Sequence, residues 1–502
     1  MLTLDSIRIP YATGLIKGTV MDAPLSDFLK VDVHTTCLED SNRFLLSFCN
    51  QLDLRLKPIR EGVDYAPWYY SPHKLKLADG WMCVNIGKVE TKYGVFVIVY
   101  LSKTRKTIDQ ICFYSYHNMH IQYRDELIEL VHEALVKRNN LHWFYYQCEV
   151  KLPIQNIDLH PYTGTNFCVV YTPKKKHCLL QYKLQALTQA EADLQARIRI
   201  THFAAFMSLE TNMLCDLGDV ELISESQFIC EKNEPLYADD YIDDYSVVND
   251  SILCVSSYGF QIMDQHIFTD DGETTNKYVK YLLSGAQNIF EALRLESNLE
   301  CMCDITTVSL NIVYSPKDHP HKNEIITMAM VHYMSSLESV TIPSGEPSKC
   351  PSCGSMLYSI SQRISDVVSK YLNEDMGKIL KEVYGFRSRY LHAGKQPMAH
   401  YYKRNLPQID VSTASNLLDT GFFTIKDAEE SRLIAINNIR EWTTYVLRCY
   451  YQDLIFGRKD FKTFPFPDKY SSLPFPVTQG GVRKIWALEN HPEIIVEDLY
   501  FL

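Results

Sequence analysis

"KEVYGFRSRYLHAGKQP", residues 381–397, places two arginines, a serine and a histidine within the span Arg387 to His392, just ahead of a glycine and a proline. Val383, Phe386 and Tyr390 recur at i, i+3 and i+7, the stripe by which an amphipathic helix faces a core. Gly394 and then Pro397 are stop signals, so His392 is expected in the last helical turn. Ser388 and Arg389 precede it by four and three residues and so share its neighbourhood. Arg387 lies to one side, with a side chain long enough to reach toward the imidazole. Spacing alone leaves two readings open. Cations near a helix C-terminus interact favourably with the helix dipole. The same residues are also what acid–base chemistry on a phosphate requires.

Local charge separates the readings. Residues 376–405 hold seven Lys or Arg (378, 381, 387, 389, 395, 403 and 404) and one acid, Glu382, in a chain whose formal net charge is −11. A basic cleft on an acidic body suits a phosphate ligand, and His400, Tyr401 and Tyr402 add stacking groups. A helix end with only a structural role has less need of this concentration.

Working outward, apolar residues at three- and four-residue spacing predict helices over 278–297, 323–340, 358–372, 377–393 and 429–455. Together they predict an all-α bundle over 275–460. The Pro- and aromatic-rich residues 461–502 read as a tail. Residues 1–270 have a different texture. "GLIKGTV", "FLKVDVHT", "MCVNIGKV" and "KYGVFVIVYLSK" read as strands, and "FCVVYTPKKKHCLLQYKL" as a hairpin tipped by lysines 174–176. Helices are expected at 124–138 and near 188–200. The acidic "YADDYIDDYSVVND" (237–250) reads as an exposed loop. The fold class is α+β and multidomain, a β-rich N-terminal region followed by a helical bundle.

The order Tyr384-x-x-Arg387-Ser388-Arg389-x-x-His392 resembles the motif of the HEPN superfamily of helical ribonucleases. The similarity is closest to the branch named for the Apea anti-phage protein, whose motif runs Tyr-x-x-Arg-Ser-Lys-x-x-His-Gly. Glu338 in "SSLESV" resembles that family's Leu-Glu segment, and Arg363 in "SQRISDVV" its Gln/Lys-Arg segment. The resemblance spans 320–455. Arg389 stands where lysine is commoner, and Ala393 intervenes before the glycine. A variable β-rich region ahead of the HEPN domain is also part of the Apea-like layout.

The resemblance implies a metal-independent endoribonuclease in abortive anti-phage defence. A 2′-hydroxyl attacks the adjacent phosphorus and expels the 5′-oxygen, leaving a 2′,3′-cyclic phosphate. His392 would move the proton, imidazole being the side chain suited to acid–base work near neutral pH, and Arg387 would stabilise the transition state. Ser388 would orient the phosphate or the histidine, and Arg389 and Lys395 would hold the RNA backbone. Tyr384, Glu338 and Arg363 would be supporting polar residues, although a structural ion pair explains Glu338 and Arg363 equally well. The family pairs two copies, implying a homodimer or higher assembly. The expected partners are RNA, with tRNA among the candidates, and a phage-derived trigger sensed through the N-terminal region. The runner-up is a non-catalytic dimerisation or RNA-binding scaffold.

Composition sets outer bounds. A chain of 502 residues with 46% hydrophobic and 22% charged residues can bury cores and has length for about three domains. No apolar run is long enough to span a bilayer, and "MLTLDSIRIP" lacks the pattern of a secretory signal, so a cytoplasmic location is expected. Most of the fifteen cysteines stand alone, as Cys168 and Cys254 do, and read as small buried hydrophobes. "CMC" and "CPSC" differ. Cys350 and Cys353 form a knuckle-like turn that, with Cys301 and Cys303, would hold a structural Zn2+; His319, His321 and His332 are alternative ligands, and free core cysteines the competing reading. No cofactor is expected for catalysis.

Overall fold

The computed structural model describes residues 26–56, 80–91, 94–104, 106–115, 122–151, 158–172, 177–228, 234–237, 247–248, 252–269, 276–301, 320–341, 360–372, 374–394, 399–400 and 434–459. Two compact units result, residues 1–143 with 185–192, and residues 144–184 with 193–502. The change of sequence texture near 275 falls inside the second unit. Expectations for 14–20, lysines 174–176, Lys395 and 461–502 lie outside the described residues.

In the first unit, Leu29 and Val31 are buried while Lys30 and Asp32 are exposed, the alternation of a strand with one face on a core. That strand, β1 (Ser26–Asp32), joins β2 (Met82–Thr91), β3 (Gly94–Ser102) and β4 (Gln110–Ser115) in the antiparallel order β1-β4-β3-β2. Helices α1 (Leu38–Leu56) and α2 (Gln122–Lys137) bury Phe44, Phe48, Leu127 and Leu130 in a core with Ile98, Tyr100 and Phe113. Phe48 meets the rings of Tyr100 and Phe113 edge-on at 6.4 and 6.1 Å. The sequence reading missed α1, although Phe44, Phe48 and Leu52 at four-residue spacing carry its signal.

The second unit opens on a five-stranded sheet. Its strands are β5 (His142–Lys151), β7 (Tyr162–Thr163), β8 (Phe167–Thr172), β9 (His177–Ala186) and β10 (Asp216–Ile223), ordered β10-β5-β9-β8-β7. β8 and β9 form the expected antiparallel hairpin. Of the expected loop at 237–250, Val247–Val248 is instead a strand, β11, in a small sheet with β12 (Ile252–Leu253) and β6 (Asp158–Leu159). Helix α3 (Gln189–Thr211) runs eleven residues past the expected end at 200. Residues 203–211 are buried all round, so the amphipathic signal that marks a surface helix is absent there. Cys254 is a buried thiol as expected; Cys168 is also buried but is disulfide-bonded, contrary to the free-thiol reading.

Helix α4 (Ser257–Ile262) starts at Ser256, whose hydroxyl caps the Gly259 amide at 2.9 Å. The long helices follow: α5 (Lys277–Cys301), α6 (Pro320–Thr341), α7 (Ile360–Tyr371), α8 (Glu374–Ala393) and α9 (Ile436–Leu454). α5 and α6 pack closely, and Arg440 of α9 pairs with buried Glu296 of α5 at 2.9 Å while the Tyr333 hydroxyl of α6 bonds the same carboxylate. Buried Glu210 at the end of α3 accepts from the Ser256 amide at 3.2 Å, its hydroxyl at 3.1 Å and the Tyr451 hydroxyl of α9. Buried, hydrogen-bonded carboxylates thus tie the sheet-covering helix α3 and the bundle helices into one unit. The architecture is mixed α+β.

Candidate functional site

Helix α8 carries the motif. Its buried stripe is Met376, Leu380, Val383 and Tyr384, spaced 4, 3 and 1, which keeps all four within one side of a helix with 3.6 residues per turn. Phe386 and Tyr390, expected on that stripe with Val383, are only half-buried and sit on its flank. Arg389 covers the Phe386 ring, its guanidinium 4.5 Å from the centroid, and the Tyr390 hydroxyl meets Met328 Sδ at 3.7 Å. α8 ends as the sequence reading has it: Gly394 adopts φ +64° and its amide donates to Tyr390 O at 2.8 Å, an αL cap.

Arg387 follows Met376 by eleven residues and extends the buried stripe by one more step, so its guanidinium meets α6. Nη2 is 2.8 Å from Glu338 and 3.3 Å from Ser335 Oγ; Nη1 is 3.0 Å from the Tyr384 hydroxyl, whose ring lies 5.2 Å away. Burial, and after it the Glu338 charge, raises the Tyr384 pKa above the ordinary phenol value. Tyr384 therefore stays protonated at neutral pH. Motif residues 46 to 49 positions apart in sequence thus form one hydrogen-bonded cluster. Ser335, one turn ahead of Glu338, was missed; its place three residues before a candidate acid was the available signal.

His392 lies elsewhere on the helix. It is exposed in the last turn, and among the described residues no hydrogen bond or ion pair engages its imidazole. Five residues of helix rotate it about 140° from Arg387. Arg387 therefore turns toward α6 and not toward the imidazole. Ser388 is half-buried and Arg389 exposed, both on the side nearer His392. Glu338 pairs with Arg387, not with Arg363; Arg363 is half-buried on α7, without an ion pair among the described residues. The nearer α7–α8 link is Lys381 Nζ to Gln362 Oε1 at 2.6 Å.

For the zinc ligands, Cys301 closes α5, but its side chain and all of Cys303, Cys350, Cys353 and His319 lie outside the described residues. Among those described, no three His, Cys, Asp or Glu are grouped to hold a metal. His332 Nδ1 instead meets Asn288 Oδ1 of α5 at 3.1 Å. No described helix is long and apolar enough to cross a membrane. Comparison of the chain with protein-family models, with curated proteins and with solved structures gave no match.

Proposed function

We propose that this chain is a HEPN-type endoribonuclease of anti-phage defence, cutting RNA without a metal. In the proposed reaction the ribose 2′-oxygen gives up its proton and bonds to phosphorus, and the bond to the 5′-oxygen breaks as that oxygen is protonated. His392 handles a proton at one of these oxygens. Arg387 supplies fixed positive charge to the phosphoryl oxygens. Glu338, Tyr384 and Ser335 hold that guanidinium in place. Arg389 and Lys395 anchor the strand. Two copies are required, because one histidine cannot serve readily as base and acid in the same turnover. The N-terminal region senses the trigger and restrains cleavage until it arrives, and the chain works in the cytoplasm.

The observation that supports the reading is the Arg387–Glu338–Tyr384 cluster. Glu338 and Arg387 were matched to the family's motifs separately, on segments far apart, and they meet in space. One fact favours the rival scaffold reading: the Arg387 charge is already compensated by a carboxylate.

The deciding experiment incubates total RNA with the purified chain in EDTA, beside His392→Ala, with and without lysate of phage-infected cells, and analyses product ends. Cyclic phosphate ends that disappear in the variant are expected. RNA bound yet uncut in every condition would favour the scaffold instead, and equal cutting by His392→Ala would remove His392 from the reaction.

A further inference from the structure

Gly385 stands in the middle of α8 without a packing reason in the described structure. A Cβ built on it meets no atom within 4 Å, in contrast to Gly377 one side of the helix away, where the same atom would strike Ser369 and Ser365. Its backbone is helical, so no left-handed conformation requires glycine. A glycine inside a helix is destabilising relative to alanine, and no close packing around Gly385 accounts for that cost.

What surrounds the gap is basic. Lys378 and Lys381 precede it by seven and four residues; Ser388, Arg389 and His392 follow by three, four and seven. All five therefore share its side of the helix. The two lysines, Arg389 and His392 are exposed. Acids on the same element are Glu382, three residues before the gap and on the same side, and Glu374 and Asp375 at the helix start. From α7, Gln362 bonds Lys381 and is itself bonded to Asp366. Lys381 uses one of its three donors there. Lys381 and Arg389 bracket the gap about 12 Å apart along the helix axis.

We infer that this strip is a track for the sugar–phosphate backbone of single-stranded RNA, with Gly385 as the notch into which the strand settles. The inference rests on the RNA-directed reading above and adds where the strand lies: along the outward face of α8, ending at His392. A missing side chain lets a bulky phosphodiester approach the helix, and the flanking cations neutralise it. A second copy of the chain fits this face less well. Across a two-fold axis at Gly385 the strip would set Lys381 against Arg389, and Leu391 is the only exposed large apolar residue on α8 among those described.

The test is fluorescence anisotropy of a 2′-O-methyl oligouridine, which lacks the attacking hydroxyl and stays intact, measured with the full chain between 50 and 200 mM salt. Gly385→Ala is expected to melt at a higher temperature than the parent yet bind the probe at least about fivefold more weakly. Lys378→Ala and Arg389→Ala are each expected to lower the salt slope by about one. Should Gly385→Ala misfold, these two slopes decide. A Gly385→Ala protein that melts higher and binds as well as the parent overturns the inference, as does one in which only the oligomeric mass changes. Parental protein that fails to bind the probe at low salt overturns this inference and the ribonuclease reading together. Glycine-sensitive binding without cleavage of ordinary RNA supports the track while removing the nuclease.

Discussion

Glu338 and Arg387 permit a quantitative test of the cluster. Their side chains keep 26% and 18% of their exposure, so the pair lies between a surface ion pair, worth about 0–1 kcal/mol, and a buried one, whose breaking costs about 3–5 kcal/mol. Glu338→Gln removes the charge but leaves an amide oxygen to accept from Nη2, so the expected loss is about 1 kcal/mol. Arg387→Met removes the pair together with the bonds to Tyr384 and Ser335. It also leaves a partly solvated carboxylate, and about 2 kcal/mol is expected. Because the two residues act as a pair, the losses overlap: the double variant costs about 2 kcal/mol, not 3, a coupling of about 1 kcal/mol.

The assay is urea denaturation of the four proteins, accepting only sets with equal m-values. Because the chain has two compact units, the relevant transition is the one that a core truncation in α8, Leu380→Ala, displaces. Losses that add, with a coupling under about 0.3 kcal/mol, would refute the reasoning. Arg387 would then be an exposed cation that merely passes near Glu338, and the main support for the proposed function would go.

Two further outcomes test the second unit. Burial lowers the pKa values of His160, His202, His266 and His332 below the ordinary 6.5; at His332 burial leads and the nearby Arg294 adds to it against Glu291. The unfolded chain therefore takes up protons first. Stability is full above about pH 6.5 and declines as pH falls below it. Melting temperatures should be nearly equal at pH 7.5 and 6.5 and lower at pH 5.5, His332→Gln should flatten that fall, and a level profile would contradict the burial of these rings. Glu296→Ala should cost about 3–5 kcal/mol, because it strands the Arg440 guanidinium beside Tyr333. Replacing Glu296 and Arg440 together by Met should recover most of that in urea denaturation, and a double variant as unstable as the single one would refute the pair's role.

The helices were legible where one face is buried and one is wet. α6, α7 and α8 fall within a few residues of the periodicity in the sequence, because Leu337, Ile364 and Val383 recur against polar positions. The latter half of α3 was not legible for the opposite reason. "FAAFMSLET" is buried on every side, and a helix without a wet face has no period to read. The change of texture near 275 is one of composition, and it falls inside the second compact unit. The buried links from Glu210 to Ser256 and Tyr451 join residues up to 241 positions apart, and sequence spacing carries no trace of them.

The spacing of the motif residues was legible in the sequence, but not the directions of their side chains. A spacing of five puts two helical side chains about 140° apart, whereas groups meant to meet on one helix stand three or four apart. Arg387 accordingly belongs to the interior side of α8, fixed by Glu338, and His392 to the solvent side with Lys381, Ser388 and Arg389. Under the proposed reaction this division is what a paired site would use. The arginine needs a rigid mount, since charge stabilises a transition state best when nothing reorganises around it. The histidine needs access to solvent and substrate to exchange its proton. On the interior side of α8 an imidazole would lose that access, and burial would disfavour its charged form, as it does at His332.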